Sequence, residues 1–306
     1  MCAAKMHADE PDTGEALVHR LISARFPRWA GLPVAPVASA GTSNAMYRLG
    51  EDMVVRLPRT AGAAGDVARE HTWLPRLAPE LPVPIPVPLG KGCPAEGYPW
   101  PWSVYRWLDG ENPALGRLAA PDAFARDLAE FAAALHGLDT VGGPASYRSE
   151  ALAARDTETR AAIAHLHGIL GPDAAHGATG TWDAALRAPA WSGPPVWIHA
   201  DLQPGNLLTV DGRLSAVIDF GCVGLGDPAV DLIAAWYVLP AEARGTFRDA
   251  VRADDASWAR GRGWALSTAL LELRYYRDTN PAMASIARHV IHEILADQER
   301  AGVSPV

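Results

Sequence analysis

The sequence predicts an α+β protein of two lobes, a small β-rich N-terminal one and a larger helical C-terminal one. Three observations lead there. Short apolar runs of strand type dominate residues 15–108, with one helical stretch among them. From residue 121 onward apolar positions recur mostly at helical spacing. Between these zones, residues 102–110 read as a strand running into a turn at Asp109-Gly110, the expected hinge. The lobes are therefore set at 1–108 and 109–306.

The first lobe is read element by element. Residues 46–49 and 53–57 flank Gly50-Glu51-Asp52 and form a hairpin. Residues 65–77 are a helix with Val67, Glu70, Leu74 and Leu77 on one face, which Pro75 should kink or end. In 81–90 (LPVPIPVPLG) alternate prolines forbid a helix and leave an extended segment.

In the second lobe, Pro121 and Asp122 open a helix that carries Phe124, Leu128, Phe131 and Leu135 to His136-Gly137. A further helix covers about 150–170. Residues 171–195 are expected as loop with a short helical insert around Trp182–Leu186. A strand at 196–199 follows, then helices near 229–238, 243–252, 264–278 and 281–299.

Composition narrows the function. With 306 residues, 49% of them hydrophobic, the chain has material for a core and is not disordered. A net charge of −8 argues against nonspecific nucleic-acid binding, which needs basic surface. No apolar run is long enough for a membrane span, and the N-terminus has no apolar stretch behind its lysine, so no secretory leader is expected. Cys2, Cys93 and Cys222 make an odd set without a CxxC pair, which points to reduced thiols in a cytoplasm. The protein is expected to be a monomer or weak dimer. Trp102, Trp107, Trp197, Trp236 and Trp264 are assigned to core packing.

The informative stretch is His199-Ala200-Asp201-Leu202-Gln203-Pro204-Gly205-Asn206, followed by Asp219-Phe220-Gly221. Phosphoryl transfer needs a carboxylate to orient and deprotonate the attacking hydroxyl, and oxygen ligands to hold Mg2+ on phosphates. Asp201 with Asn206 five residues on supplies a base and a metal ligand from one tight loop. Asp219 supplies a second metal contact after the run 214–218. Residues 207–210 and 214–218, joined by Asp211-Gly212, read as a β-hairpin between the two metal ligands. A lone Asp-Phe-Gly is common in turns and H-x-D-x4-N alone is the stronger signal; their combination around a hairpin is what a kinase needs.

The segment HADLQPGNLL…AVIDFGCVGLGDPAVDL resembles the aminoglycoside phosphotransferase family, antibiotic kinases that share the protein-kinase fold. That family reads H-G-D-x-x-x-x-N, then I-D-F or I-D-W, then G-D-P-x-x-D-L. The likeness is dense over 197–236 and looser over 41–110, and Ala200 stands where the family has glycine. It implies a bilobal protein-kinase-like fold, ATP (or GTP) and Mg2+ as cofactors, and a small hydroxylated acceptor. Asp201 is then the base, with Asn206 and Asp219 the metal ligands.

The nucleotide side is sparser. Gly41-Thr42-Ser43-Asn44 precedes a strand where a phosphate-covering loop belongs, so Ser43 and Asn44 are nucleotide candidates, with a plain turn as the alternative. Arg56 stands at the place of the kinase lysine, with Glu70 on the following helix as its partner. An active variant and a nucleotide-binding pseudokinase both fit that exchange; retention of Asp201, Asn206 and Asp219 favours the active one. Tyr105, Arg106, Trp107 and Leu108 are the expected neighbours of adenine.

Asp227, Glu272 and Glu242 are candidate acids for a cationic acceptor. Glu272 can equally pair with Arg274 or face solvent. Trp264, Tyr275 and Tyr276 could instead wall a macrolide, and peptide antibiotics and amino alcohols stay open. His199 is read as a support, Asp231 as a helix-start cap, and Asp227 as either a cap or an acceptor contact.

Overall fold

The computed structural model describes residues 10–37 and 43–300. Gly41-Thr42 of the expected phosphate loop therefore lies outside the described residues. The chain divides into two compact units. One holds the residues up to Asp109 together with Ala216–Gly221; the other holds Gly110–Ser215 and the chain from Cys222 on. The first is a β-sheet with helices and the second is mainly helical, the α+β composition of a bilobal protein-kinase-like fold.

In the first unit the elements are α1 (Glu15–Arg25), β1 (Val34–Pro36), β2 (Asn44–Leu49), β3 (Met53–Pro58), α2 (Ala61–Leu77), β4 (Pro88–Gly92) and β5 (Trp102–Arg106). The strands form one antiparallel sheet in the order β1-β2-β3-β5-β4. β3 is central and buried on both faces, which explains its unbroken run Val54-Val55 and Leu57. The β2–β3 turn is closed by Gly50 at φ +61°, a left-handed conformation that favours glycine.

Helix α1 was not expected. Leu17, Val18, Leu21 and Ile22 form a stripe that packs with Leu49, Val55 and Trp102 in one core cluster. Four large apolar residues in eleven make a weak period, and tertiary packing decides the element. α2 starts earlier than expected because Thr60 caps it, its Oγ1 accepting from Ala63 N at 3.3 Å. It also runs through Pro75 to Leu77. A proline so near the C-terminus forfeits one hydrogen bond of the last turn, too little to stop the helix there.

The second unit contains α3 (Pro121–His136), α4 (Asp156–Leu170), α5 (Pro172–Arg187), β6 (Val196–Ile198), β7 (Leu207–Val210) and β8 (Arg213–Val217), whose last residues cluster with the first unit. Then come β9 (Gly224–Gly226), α6 (Ala234–Tyr237), α7 (Arg244–Ala250), α8 (Asp255–Tyr276) and α9 (Pro281–Arg300). β7 and β8 form the expected hairpin, while β6 pairs with β9.

The loop expected over 171–195 is mostly helix α5, and this is the largest correction to the sequence reading. Pro172 occupies its first turn with Asp173 beside it, both suited to a helix start. Its small residues serve close packing rather than flexibility. A Cβ on Gly263 of α8 would meet Ala185 Cβ at 2.5 Å and Leu152 Cδ2 at 2.9 Å. α8 itself begins at Asp255, well before 264, with Asp254 accepting from Ser257 N at 2.7 Å. It is buried along most of its length, so it shows little amphipathic period to read. The expected helix at 229–238 is a 3-10 turn, Pro228–Ile233, leading into the short α6.

Candidate active site

The chain leaves β6 into the loop that carries Asp201. Ala200, wholly buried, takes φ +66° where most residues avoid it. Asp231 holds it there: its Oδ1 accepts from Ala200 N at 2.7 Å and its Oδ2 from His199 N at 3.1 Å. His136 Nε2 lies 3.0 Å from the same Oδ2. Asp231 does bind backbone N–H groups, but they belong to this loop and not to a helix start. His199 is buried and accepts from Asp201 N at 3.2 Å through Nδ1, the supporting position expected of it.

The Asp201 carboxylate has three neighbours within its own unit. Arg148 NH1 lies 3.2 Å from Oδ1, Gln203 Nε2 donates to the same oxygen at 3.1 Å, and Asn206 Nδ2 donates to Oδ2 at 2.9 Å. Asn206 also donates to Asp201 O at 2.8 Å. Arg148 reaches back to Ala200 O. Burial works against the Arg148 charge, yet Asp201 and the other acidic groups around it outweigh burial and raise its pKa.

Gln203 joins this group to Glu272, donating from Nε2 to Oε1 at 2.7 Å, and Tyr237 OH donates to Oε2 at 2.8 Å. Burial, and then the Asp201 charge, push Glu272 up to about 7. Glu272 therefore does not make the alternative pair with Arg274. Arg148, Gln203 and Tyr237 were not found by the sequence reading. Gln203 lay inside the quoted motif; Arg148 sits in irregular chain between α3 and α4 and Tyr237 on a four-residue helix, and neither carries a local signal.

Asp227 is placed elsewhere. It caps Ala229 N at 2.9 Å and pairs with Arg260 Nε at 2.7 Å. The pair lies on the wall of a cavity of about 510 Å³ lined also by Leu152, Trp191 and Leu225. Arg260 and Glu272 are both on α8, twelve residues apart, which is about 18 Å along its axis. Asp227 is thus paired with a residue about 18 Å along α8 from Glu272. Glu242 is exposed.

In the first unit, Arg56 on β3 divides its guanidinium: NH1 donates to Glu70 Oε1 and NH2 to Asp219 Oδ1, each at 2.9 Å. Tyr105 OH donates to the other Glu70 oxygen, so its side chain belongs to this ion group. Burial opposes the Arg56 charge, but Glu70 and Asp219 prevail and raise its pKa. Asp219 sits at φ +61°, and a Cβ on Gly221 would lie 3.0 Å from Asp66 Oδ2, a tight approach that the Asp66 side chain would have to yield to. Arg106 N donates to Val87 O and Trp107 N to Asp52 O, so both N–H groups are already engaged. Trp107 is only half-buried and its ring lies under Arg48, while Leu108 is half-buried and Arg106 exposed. Ser43 O accepts from Arg59 N, and Asn44 opens β2 opposite Pro58.

A model of the "Phosphotransferase enzyme family" matches residues 34–264, three quarters of the chain. The chain belongs to that family. No curated protein matches this phosphotransferase. Solved structures do, across nearly its whole length. The GDP complex of wild-type aminoglycoside 2'-phosphotransferase-IIIa is 21% identical with a TM-score of 0.73, covering 94% of this chain and 100% of that one. The GDP and kanamycin complex of APH(2'')-IIia has the same identity and TM-score, covering 92% and 98%. Macrolide 2'-phosphotransferase MphH from Brachybacterium faecium is 22% identical with a TM-score of 0.59, again covering 92% and 98%. At these identities the likeness carries the fold, and the phosphotransferase's own residues carry the chemistry.

Proposed function

We propose that this phosphotransferase moves the terminal phosphoryl group of ATP or GTP to a hydroxyl of a small, cationic, aminoglycoside-type molecule. The observation that carries the reading is the Asp201 carboxylate, fixed by Arg148, Gln203 and Asn206 on the loop after β6. A carboxylate so held can accept a hydroxyl proton as the oxygen attacks phosphorus.

Taken one by one, Asn206 and Asp219 are of the residue types that hold magnesium. Asn206 commits its amide nitrogen to Asp201, so the carbonyl oxygen is the atom it has to offer. Asp219 carries a carboxylate whose side chain is 37% exposed. Both are hard oxygen donors. Among the described residues no group of three or more His, Cys, Asp or Glu could hold a metal ion. Nucleotide phosphates would therefore complete the coordination, as is usual for Mg2+. When bound, Mg-nucleotide supplies the phosphoryl group and offsets its charge. Arg56 offers a permanent cation to the phosphates, and Glu70 and Tyr105 keep it oriented. Asp201 takes the proton, and Arg148 stabilises the ionised base. Among the described residues neither Cys93 nor Cys222 is in a disulfide, which suits a cytoplasmic enzyme.

The test is incubation with Mg-ATP and with Mg-GTP against aminoglycosides, macrolides and amino alcohols, read by mass spectrometry for one added phosphoryl group. An aminoglycoside product that disappears in Asp201→Asn supports the proposal. A product from amino alcohols alone replaces the acceptor class. Nucleotide binding with no product from any acceptor points to the pseudokinase reading.

A further inference from the structure

Glu272 lies outside the loop that carries the base, yet it accepts from Gln203 of that loop, and Tyr237 holds Glu272 from the other side. Gln203 has a terminal amide with one acceptor and two donors, and rotation by half a turn exchanges them. Its Nε2 contacts both Glu272 Oε1 at 2.7 Å and Asp201 Oδ1 at 3.1 Å. Asp201 Oδ1 accepts from Arg148 on one side and from this nitrogen on the other, and Glu272 Oε1 accepts from the same nitrogen, so the nitrogen belongs on the side facing both carboxyl groups. The flipped amide would set its oxygen against the charged Asp201 carboxylate. Glu272 is itself held, because Tyr237 OH donates to Oε2 at 2.8 Å and Tyr237 is fully buried.

We infer that Glu272, fixed by Tyr237, is a positioning residue that acts through Gln203 on the orientation of Asp201. This rests on the reading of Asp201 as the base. Asp201 Oδ1 then receives Gln203 and Arg148 while Oδ2 receives Asn206, which sets the carboxylate plane and the lone pair left for the substrate hydroxyl. Substrate need not touch Glu272, since both its oxygens are already donated to. The role differs from that of an acid binding a cationic acceptor, and the two roles predict opposite kinetics. Loss of an orienting contact lowers kcat, because the defect appears where the proton moves. Loss of a binding contact raises KM.

The experiment compares Glu272→Gln, Gln203→Ala, the double variant and Asp201→Asn, each first shown by thermal melting to be folded. With kanamycin as the acceptor probe, Glu272→Gln and Gln203→Ala should each lose about ten- to fifty-fold in kcat with KM changed less than about two-fold. The double variant should be no worse than the weaker single one, because both act along one path. An acceptor KM raised about ten-fold at unchanged kcat, or losses that multiply in the double variant, would overturn the inference. Should kanamycin not be turned over, 1H–15N spectra decide. The Gln203 side-chain NH2 pair, identified by its absence in Gln203→Ala, should shift in both Glu272→Gln and Asp201→Asn. An unmoved pair in either sinks the proposal. Full activity in Asp201→Asn defeats the base reading itself and is a separate result.

Discussion

Ala200 donates its backbone N–H to Asp231 Oδ1 at 2.7 Å while held at φ +66°. The carboxylate thus keeps a non-glycine residue in a conformation that costs about 1–2 kcal/mol. Ala200→Gly should leave activity intact and leave stability unchanged or raised by up to ~1 kcal/mol, since relief of strain is offset by a freer unfolded chain. Asp231→Ala should cost roughly 3 kcal/mol or more, because buried N–H groups lose their acceptor. Urea denaturation measures both; a clear loss of stability in Ala200→Gly would show that the alanine methyl has a packing role instead.

Arg56 meets Glu70 and Asp219 with different nitrogens. A lysine cannot reproduce that fork, so Arg56→Lys should raise the nucleotide KM about ten-fold while retaining part of kcat. Arg56→Ala should lose more and also lower the melting temperature, since two carboxylates are left facing each other. Nucleotide titration by calorimetry, with and without Mg2+, checks the direction.

Glu272 is raised from an ordinary 4.5 to about 7, chiefly by burial and then by Asp201. The groups facing it are Asp201 and Gln203 of the base loop, Arg148 and Tyr237. The folded protein therefore binds its proton more tightly than the unfolded chain does. This contribution is fully present below about pH 4.5 and is lost as pH rises to about 7, up to roughly 3 kcal/mol in all. Glu272→Gln has no such proton, so its melting temperature should gain on the parent's between pH 5 and pH 8, as scanning calorimetry across that range would show. A difference that stays constant with pH would refute the assignment.

Gly263 lets α8 approach α5, and a Cβ there would lie 2.5 Å from Ala185 Cβ. Gly263→Val should destabilise the protein by about 1–3 kcal/mol through overpacking, without changing KM for either substrate. Thermal melts and steady-state kinetics together separate the two effects.

The legible parts of the fold and site are those whose signal is local. Asp201 to Asn206 is one loop, and Asp211-Gly212 marks the hairpin that precedes Asp219, so short spacing was enough. Arg56 and Glu70 pair in the sequence because a kinase sets a cation on that strand and its glutamate partner on the next helix, and the 2.9 Å contact is present. Arg148, Tyr237 and Glu272 meet Asp201 and Gln203 only through tertiary packing, and no period or spacing encodes that. α5 and the first turns of α8 were misread for a related reason. Their glycines let neighbouring helices pass close, whereas glycine and proline in isolation read as loop.

The segment Ala216–Gly221 clusters with the first unit although the chain on both sides of it belongs to the second. The acid that meets Arg56 is therefore encoded far from the sheet it serves. An exchange of the first 109 residues between two such enzymes would import a new Arg56, Glu70 and Tyr105 but keep the resident Asp219. Such a chimera inherits half of an ion group from each parent. The junction at Asp109 is thus a safe place to cut the gene only when both parents carry the same residues just after β8.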